Sequence, residues 1–161
     1  MDVLKIVLID DDPNGIQVLK KIIGNSKNLE IAFSATDPIL ALEFIQNNPV
    51  DLIITDIVMD KMHGIHLASI LEKMQLPVII CSAYQEYAYD GYQVNAIAFI
   101  KKPANSASFF KAIEKFNPLQ RNNNAESPSF FQNSLIINEH GSATISVIRH
   151  DNICFFRTDG N

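Results

Sequence analysis

Short apolar runs alternate five times with amphipathic segments over residues 4–116, and this alternation limits the possible folds more than any other feature. Each run is continuous and rich in Ile and Val, which is typical of a strand buried on both faces. The intervening segments, such as DPNGIQVLKKIIGN, carry apolar residues at helical spacing. The pattern predicts an α/β fold in which a doubly wound, five-stranded parallel sheet has helices on both faces. The predicted strands are LKIVLID (4–10), EIAFSAT (30–36), VDLIITD (50–56), PVIICSA (77–83) and AIAFI (96–100).

The composition indicates one well-packed domain followed by a smaller segment. Of 161 residues, 47% are hydrophobic and 19% are charged, which is typical of globular rather than disordered chains. The net charge of −5 argues against a surface devoted to nucleic acid or anionic membrane, although a local basic patch is compatible with it. Two cysteines, Cys81 and Cys154, are too few for a disulfide framework, and no apolar stretch is long enough to cross a bilayer. We therefore expect a cytoplasmic protein without membrane contact.

The carboxyl ends of the predicted strands carry the residues most suited to chemistry. Ligands of doubly wound sheets bind just beyond these ends, near the point where the strand order reverses. Asp56 stands at the carboxyl end of the middle strand, where apolar residues flank it and neither a local base nor a capping role explains it. The other polar residues at strand ends are Asp10 and Asp11 after the first strand, Ser82 in the fourth, and Lys102 after the fifth.

Acids, a hydroxyl and an ammonium at one edge of a sheet suit phosphoryl transfer to a carboxylate. Clustered carboxylates bind hard divalent cations, and Mg²⁺ also shares phosphate oxygens. Lys102 and Ser82 can hold the remaining phosphoryl oxygens, because this transfer depends mainly on positioning and electrostatics. Asp56 is then the nucleophile that attacks phosphorus and becomes an aspartyl phosphate.

Other polar residues near the strand ends have simpler explanations. Asp12 precedes a proline and is interpreted as a helix N-cap rather than a metal ligand. The same Asp-Pro pair recurs at Asp37, where no site is expected. His63 and His66 are not interpreted as a metal pair, because no cysteine or carboxylate accompanies them at a fixed spacing.

The segments IDDDP, DIVMDKMHG, CSAY and FIKKP together resemble the receiver domain of two-component response regulators, over roughly residues 4–117. The resemblance implies a flavodoxin-like sheet with strand order 2-1-3-4-5 and phosphorylation by a sensor histidine kinase. It also implies a cis peptide bond before Pro103. One departure is Asp60, which stands where the family usually has proline. The implied site residues are the phosphoacceptor Asp56, the assisting Ser82 and Lys102, the metal ligands Asp10, Asp11, Asp56 and the backbone carbonyl of Val58, and the aromatic switch Phe99.

The end of the chain adds a second resemblance. AYQEYA and VNAIAF are similar to segments of receivers attached to LytTR-type DNA-binding domains, and DNICFFRTDGN resembles the opening strands of such a domain. We expect a receiver at 1–117, a linker at 118–132, and at 133–161 a partial LytTR-like domain with its N-terminal strands only. Two strand-like runs on either side of NEHGS predict a short β-hairpin in this segment. Natural truncation and a fragment of a longer protein both remain open.

All four tyrosines lie within nine residues of each other, in the segment between the fourth and fifth strands. They are explained equally well as filler of a half-buried helix and as an interaction face. The hypothesis for a switch is that phosphate capture by Ser82 turns Phe99 inward and changes this surface. The tyrosines are Tyr84, Tyr87, Tyr89 and Tyr92.

Three function classes follow. The first is a phosphorylation-controlled transcription regulator, which binds DNA only if the full gene product has a complete LytTR domain. The second is a receiver-only module that acts through protein partners, with a homodimer left open. The third, an Asp-nucleophile phosphatase of the haloacid dehalogenase type, ranks last because DDDP lacks the DxD arrangement followed by Thr or Val. We expect no enzyme activity beyond slow self-dephosphorylation.

Overall fold

The computed structural model describes residues 3–116 and the backbone of two later strands, 134–138 and 145–149. Five parallel strands form one sheet in the order β2-β1-β3-β4-β5, which confirms the predicted doubly wound fold. Its strands are β1 (Leu4–Ile9), β2 (Leu29–Ala35), β3 (Leu52–Thr55), β4 (Val78–Ser82) and β5 (Ala98–Lys101).

Five helices connect and flank these strands. Asp12 and Asp37 cap the first two, since each side chain accepts a hydrogen bond from a backbone N–H two residues later and a proline opens each helix. Asn105 and Ser108 form a reciprocal capping box at the start of the last. The helices are α1 (Pro13–Ile23), α2 (Pro38–Asn47), α3 (Gly64–Lys73), α4 (Ala88–Gln93) and α5 (Ser106–Lys115).

The sheet separates two hydrophobic cores. Leu8 and Ile54 point to one face and pack with α1 and α5, including the fully buried Phe109. Ile53 points to the opposite face, where α2 and α3 contribute residues such as Leu67. Each fully buried side chain of this size stabilises the fold by about 1.5–3 kcal/mol. Burial on both faces explains why the strands are continuous apolar runs, and it makes the sheet a rigid support for its carboxyl edge.

The segment before β5 is divided into two short elements rather than one continuous helix over residues 85–93. A 3-10 turn at Gln85–Tyr87 precedes the six residues of α4. Gly91 is buried, and a Cβ there would lie 2.8 Å from Cδ1 of Ile80. Gly91 therefore has a packing role, because the lack of a Cβ lets α4 approach β4 closely.

Beyond residue 116, two strands pair in antiparallel fashion, β6 (Ser134–Asn138) with β7 (Ile145–Arg149). They form the hairpin predicted around NEHGS. The predicted linker at 118–132 and the other residues of the predicted LytTR-like segment at 133–161 lie outside the described residues. Over the part of the chain that the structure describes, every helix is too short or too polar to cross a bilayer.

Candidate functional site

The sheet register brings the predicted site residues to one edge. Ile9 pairs with Thr55 and Thr55 pairs with Ile80, so β1, β3 and β4 end side by side. Asp10 and Asp56 each follow the last residue of their strand. At the far side of β4, Ser82 pairs with Lys101 of β5, and Lys102 is the next residue along the chain.

Three carboxylates and one ammonium meet at this edge. Each of Asp10, Asp11 and Asp56 has a carboxylate oxygen within 4.8 Å of those of the other two. Lys102 Nζ lies 2.8 Å from Asp10 Oδ2 and 2.5 Å from Asp56 Oδ2. If all four groups are ionised, two negative charges remain uncompensated, which is the charge that one divalent cation would neutralise. Oxygen-only ligands of this kind suit Mg²⁺.

Burial shapes the electrostatics of this cluster. It raises the pKa of the Asp10 carboxyl, and the nearby Lys102 only partly offsets the rise. Burial is the largest single influence and would lower the pKa of Lys102, but the hydrogen bonds and the charge attraction from Asp10 and Asp56 together outweigh it and raise the pKa. Lys102 is therefore a firmly protonated cation at neutral pH. In the core beneath, burial raises the pKa of the Cys81 thiol to about 12, which makes this cysteine a poor nucleophile.

The carboxylate of Asp56 is held from two directions. Its Oδ1 accepts a hydrogen bond from the backbone N–H of Ile57 at 2.5 Å, and its Oδ2 accepts one from Lys102. The Asp56 N–H donates to the carbonyl of Ile9 at 2.9 Å, which anchors the residue to β1. Asp56 is 8% exposed, so its reactive oxygens have a fixed orientation and limited contact with water.

Ser82 offers a hydrogen-bond donor that lacks an internal partner. Its hydroxyl is fully buried, and among residues 3–116 no group bonds to it. An unsatisfied buried hydroxyl costs about 1–3 kcal/mol, so native proteins keep few of them. A phosphoryl oxygen bound beside β4 would supply the missing acceptor.

Two further predicted residues flank the cluster. Val58 lies on the loop between β3 and α3 and is 40% exposed. Phe99 on β5 pairs with Ile80 of β4 in the sheet. Its side chain is half-buried and packs against the hydrophobic core on the sheet face that α2 and α3 cover. The peptide bond between Lys102 and Pro103 is cis, as the family resemblance implied.

Comparison with known proteins agrees with this geometry. A family model described as response regulator receiver domain matches residues 6–114. The chain belongs to this family. It is a receiver domain of two-component systems with additional residues at its C-terminus.

Relatives of this receiver domain include longer proteins that are named as sensory transduction or regulatory proteins. The sensory transduction protein LytT of Bacillus anthracis is 30% identical over 115 residues, which are 70% of this chain and 47% of that protein. The positive alginate biosynthesis regulatory protein of Pseudomonas aeruginosa is 28% identical over 115 residues, 70% of this chain and 46% of that protein. The predicted resemblance to receivers of LytTR-type regulators is confirmed. The chain spans about half the length of these curated relatives.

Solved structures show the same fold. The response regulatory domain of mrkE from Klebsiella pneumoniae matches with a TM-score of 0.67 at 24% identity, covering 74% of this chain and 99% of that one. The response regulator TrrA from Thermotoga maritima, solved with Mg²⁺ and BeF, matches with a TM-score of 0.63 at 25% identity. The match covers 70% of this chain and 98% of that one.

Two glycines that were not among the predicted site residues lie against main-chain or side-chain atoms of the receiver site. A Cβ at Gly15 would lie 2.1 Å from Asp10 Oδ2, and one at Gly64 would lie 1.9 Å from the carbonyl oxygen of Asp56. Both glycines lie in the first turn of a helix that follows an acidic strand end. Their position in the sequence could have indicated a role at the site. The first turn of a helix favours Ser, Asp or Pro, and Gly is preferred there mainly when another group lies too close for a side chain.

The loop between β3 and α3 is anchored on both sides. Lys61 forms an ion pair with Asp37, the N-cap of α2, at 2.5 Å. The ring of His63 packs edge-on against Tyr87 at 5.4 Å, which ties the loop to the turn after β4. His63 therefore has a packing partner, while His66 lies exposed on α3.

The tyrosine segment combines both explanations that the sequence allowed. Tyr87 is half-buried and packs against the hydrophobic core on the sheet face that α2 and α3 cover. Tyr84, Tyr89 and Tyr92 are 49%, 46% and 44% exposed. One tyrosine thus packs against the core, whereas the other three are about half exposed to solvent.

Replacing Lys102 with Met is expected to lower the free energy of unfolding by about 2 kcal/mol in the presence of a chelator, because it leaves two buried carboxylates without a counter-ion. Mg²⁺ should reduce this loss, since it supplies the missing positive charge. Denaturant unfolding with and without Mg²⁺ measures both effects. The matched control is Lys101→Met, which removes an exposed charge one residue away. Equal losses in the two variants would contradict the structural role of Lys102.

Proposed function

We propose that this receiver acts in the cytoplasm, where it accepts a phosphoryl group on Asp56 from a sensor histidine kinase, with Mg²⁺ as cofactor, and thereby switches an output. The observation that carries the proposal is the position of the Asp56 carboxylate, which shares Lys102 with Asp10 at the carboxyl edge of the sheet. A carboxylate between a cation and further acids is suited to receive a phosphoryl group once the acids are neutralised.

Each residue has a distinct part in the transfer. An Asp56 oxygen attacks phosphorus, and the bond from phosphorus to the donor nitrogen breaks with its electron pair passing to that nitrogen, which takes up a proton. Lys102 neutralises charge on the phosphoryl oxygens. When bound, Mg²⁺ adds positive charge and orients those oxygens. The residues that would hold it are Asp10, Asp11, Asp56 and the backbone carbonyl of Val58.

The unpaired hydroxyl of Ser82 supports a role after transfer. It would donate a hydrogen bond to a phosphoryl oxygen and draw the turn after β4 toward the site. Phe99, half-buried on the neighbouring strand, would move inward into the space that opens. The exposed surface formed by Tyr84, Tyr89 and Tyr92 would change as a result, and amide hydrogen exchange in α4 with and without a phosphoryl mimic measures that change.

For the output, we favour transcription regulation through a LytTR-type domain. LytT and the alginate regulator support this choice, since both are named as signalling or regulatory proteins and are about twice as long as the part that aligns with this chain. Residues 1–117 would be the receiver, 118–132 a linker and 133–161 the first strands of the DNA-binding domain. DNA would be a partner only with that domain complete. An open reading frame rich in basic residues downstream of codon 161 would support this output.

The alternative is a receiver-only module that acts through protein partners, including a second copy of itself. A methylesterase/glutaminase of Bradyrhizobium diazoefficiens is 30% identical over 105 residues, which are only 29% of that protein. Receivers of this kind therefore occur in proteins with different outputs. A stop codon directly after codon 161 would favour the alternative, and no catalytic activity beyond slow self-dephosphorylation is proposed for this chain.

The test of the proposed function is direct phosphorylation. Incubation with a small phosphodonor and Mg²⁺ should add one phosphoryl group, and peptide mass mapping should place it on Asp56. Excess chelator should suppress the adduct because the acidic cluster then repels the donor. A phosphoryl group on another residue, or labelling that is indifferent to Mg²⁺, would contradict the proposal.

Asp60 allows a finer test of the electrostatics. It is an exposed acid on the same loop as the phosphoacceptor, in place of the usual proline. Asp60→Asn should raise the labelling rate by an anionic phosphodonor about twofold at low ionic strength, and molar salt should remove the difference by screening. Glu30→Gln, an exposed acid at the amino end of β2, should have no such effect. A salt-independent gain would point to loop conformation instead of charge.

A further inference from the structure

The peptide unit between Asp56 and Ile57 is held at both of its polar ends. Its carbonyl oxygen, on Asp56, accepts a hydrogen bond from Thr55 Oγ1 at 2.9 Å. Its N–H, on Ile57, donates to Asp56 Oδ1 at 2.5 Å. Because a peptide unit is planar and rigid, the direction of its C=O sets the direction of its N–H. The Thr55 hydroxyl therefore acts on the Asp56 carboxylate through one rigid plane.

The burial of Thr55 shows that its hydroxyl has a specific use. Thr55 ends β3 and is fully inaccessible to solvent, while the other residues of that strand are apolar. Valine would fill the same space without bringing a polar group into the core. Within residues 3–116 no main-chain N–H donates to the Asp56 carbonyl oxygen, so the Thr55 hydroxyl is the group that satisfies it.

Gly64 confines the same carbonyl oxygen from the side of α3. A Cβ at this glycine would lie 1.9 Å from that oxygen, so the helix backbone itself lies against it. The Gly64 N–H also donates to the carbonyl of Ile57 at 2.6 Å, which holds the next peptide unit. The peptide unit between Asp56 and Ile57 thus accepts a hydrogen bond from Thr55 and lies in close contact with Gly64, which leave it little freedom to rotate.

We propose that Thr55 is a positioning residue for phosphoryl transfer, a role that rests on the proposed function of Asp56. By fixing the peptide plane, its hydroxyl keeps Asp56 Oδ1 on the Ile57 N–H and Oδ2 directed at Lys102. The carboxylate is then oriented before a phosphodonor arrives. Orientation of this kind speeds a reaction, because the attacking oxygen is already aligned and less entropy is lost on reaching the transition state.

The test compares Thr55→Val, which removes the hydroxyl and keeps the shape, with Thr55→Ser, which keeps the hydroxyl. At saturating Mg²⁺ and phosphodonor, labelling should slow about tenfold in Thr55→Val and stay within about twofold of the parent in Thr55→Ser. A second readout needs neither metal nor phosphate. The Ile57 amide proton, bonded to a carboxylate, should resonate far downfield in the parent and in Thr55→Ser, and move upfield in Thr55→Val.

Parallel labelling of Asp56→Asn separates the two levels of the proposal. Labelling that survives in Asp56→Asn overturns the proposed function. If Asp56→Asn is unlabelled while Thr55→Val labels at the parent rate with an unchanged Ile57 amide shift, only the role of Thr55 is overturned. Should Thr55→Val fail to fold, the parent spectrum still decides, because an Ile57 amide proton at an ordinary shift would overturn the proposal by itself.

Discussion

Asp56→Asn should accept no phosphoryl group from a small phosphodonor, with a labelling rate below about 1% of the parent rate. The reason is chemical, because an amide oxygen is far less nucleophilic than a carboxylate and forms no stable acyl phosphate. The side chain should still occupy its place. Asparagine keeps a carbonyl oxygen that can accept the hydrogen bond from the Ile57 N–H.

The folded state of this variant should be at least as stable as that of the parent. Asp56 and Asp10 share one ammonium, and removing one negative charge relieves their repulsion. Intact-mass measurement of the labelled protein and denaturant unfolding together separate lost chemistry from lost structure. An unlabelled variant that has also unfolded would not support the role of Asp56.

Asp12→Asn is a matched control for this experiment. Asp12 lies two residues after Asp10 and caps α1, accepting hydrogen bonds from the N–H and the side-chain amide of Asn14. Asparagine is an equally good N-cap, so the helix should be retained. Labelling within about twofold of the parent is expected, because one more distant surface charge is lost and screening weakens its effect. Complete loss in this control would mean that any acid near the site is essential.

The sequence was informative about the site because parallel strands impose a simple geometric rule. Once β1 and β3 are recognised as buried strands, Asp10 and Asp56 must follow their carboxyl ends and lie near each other. Lys102 follows in the same way from the end of β5. These placements depend only on where each buried apolar run ends, because the residue that follows it lies at the carboxyl edge of the sheet.

Contacts that depend on distances of a few ångströms were beyond the sequence. The alternation of strands and helices predicts that α3 begins after β3, but not that Gly64 touches the Asp56 carbonyl. Likewise, a polar residue at the end of a strand does not reveal which oxygen its hydroxyl reaches, as Thr55 illustrates. The division of the segment 85–93 into a 3-10 turn and α4 also depends on packing, here of Gly91 against Ile80.

Gly64→Ala is expected to destabilise the protein by about 3 kcal/mol, the upper part of the range for an extra methyl group in a packed interior. Alanine is the better helix former, so helix propensity alone predicts a gain. The loss comes from a Cβ that would lie 1.9 Å from the Asp56 carbonyl oxygen and 2.7 Å from Cα of Ile57. Both atoms are main chain, which cannot turn aside as a flexible side chain can. Denaturant unfolding should show a lower midpoint at an unchanged slope.

Gly24→Ala is the matched control, because this glycine also lies at a helix terminus but has an ordinary backbone conformation with φ of −60°. Its added Cβ would lie 3.2 Å from the Lys20 carbonyl oxygen and 3.9 Å from that of Lys21, which are far longer distances than at Gly64. Stability should change by less than about 1 kcal/mol, with part of any gain coming from reduced freedom of the unfolded chain. If Gly64→Ala proved as mild as this control, α3 would have to shift away from Asp56 at little cost. The close contact that confines the Asp56–Ile57 peptide would then be incidental, and Thr55 would hold that peptide alone.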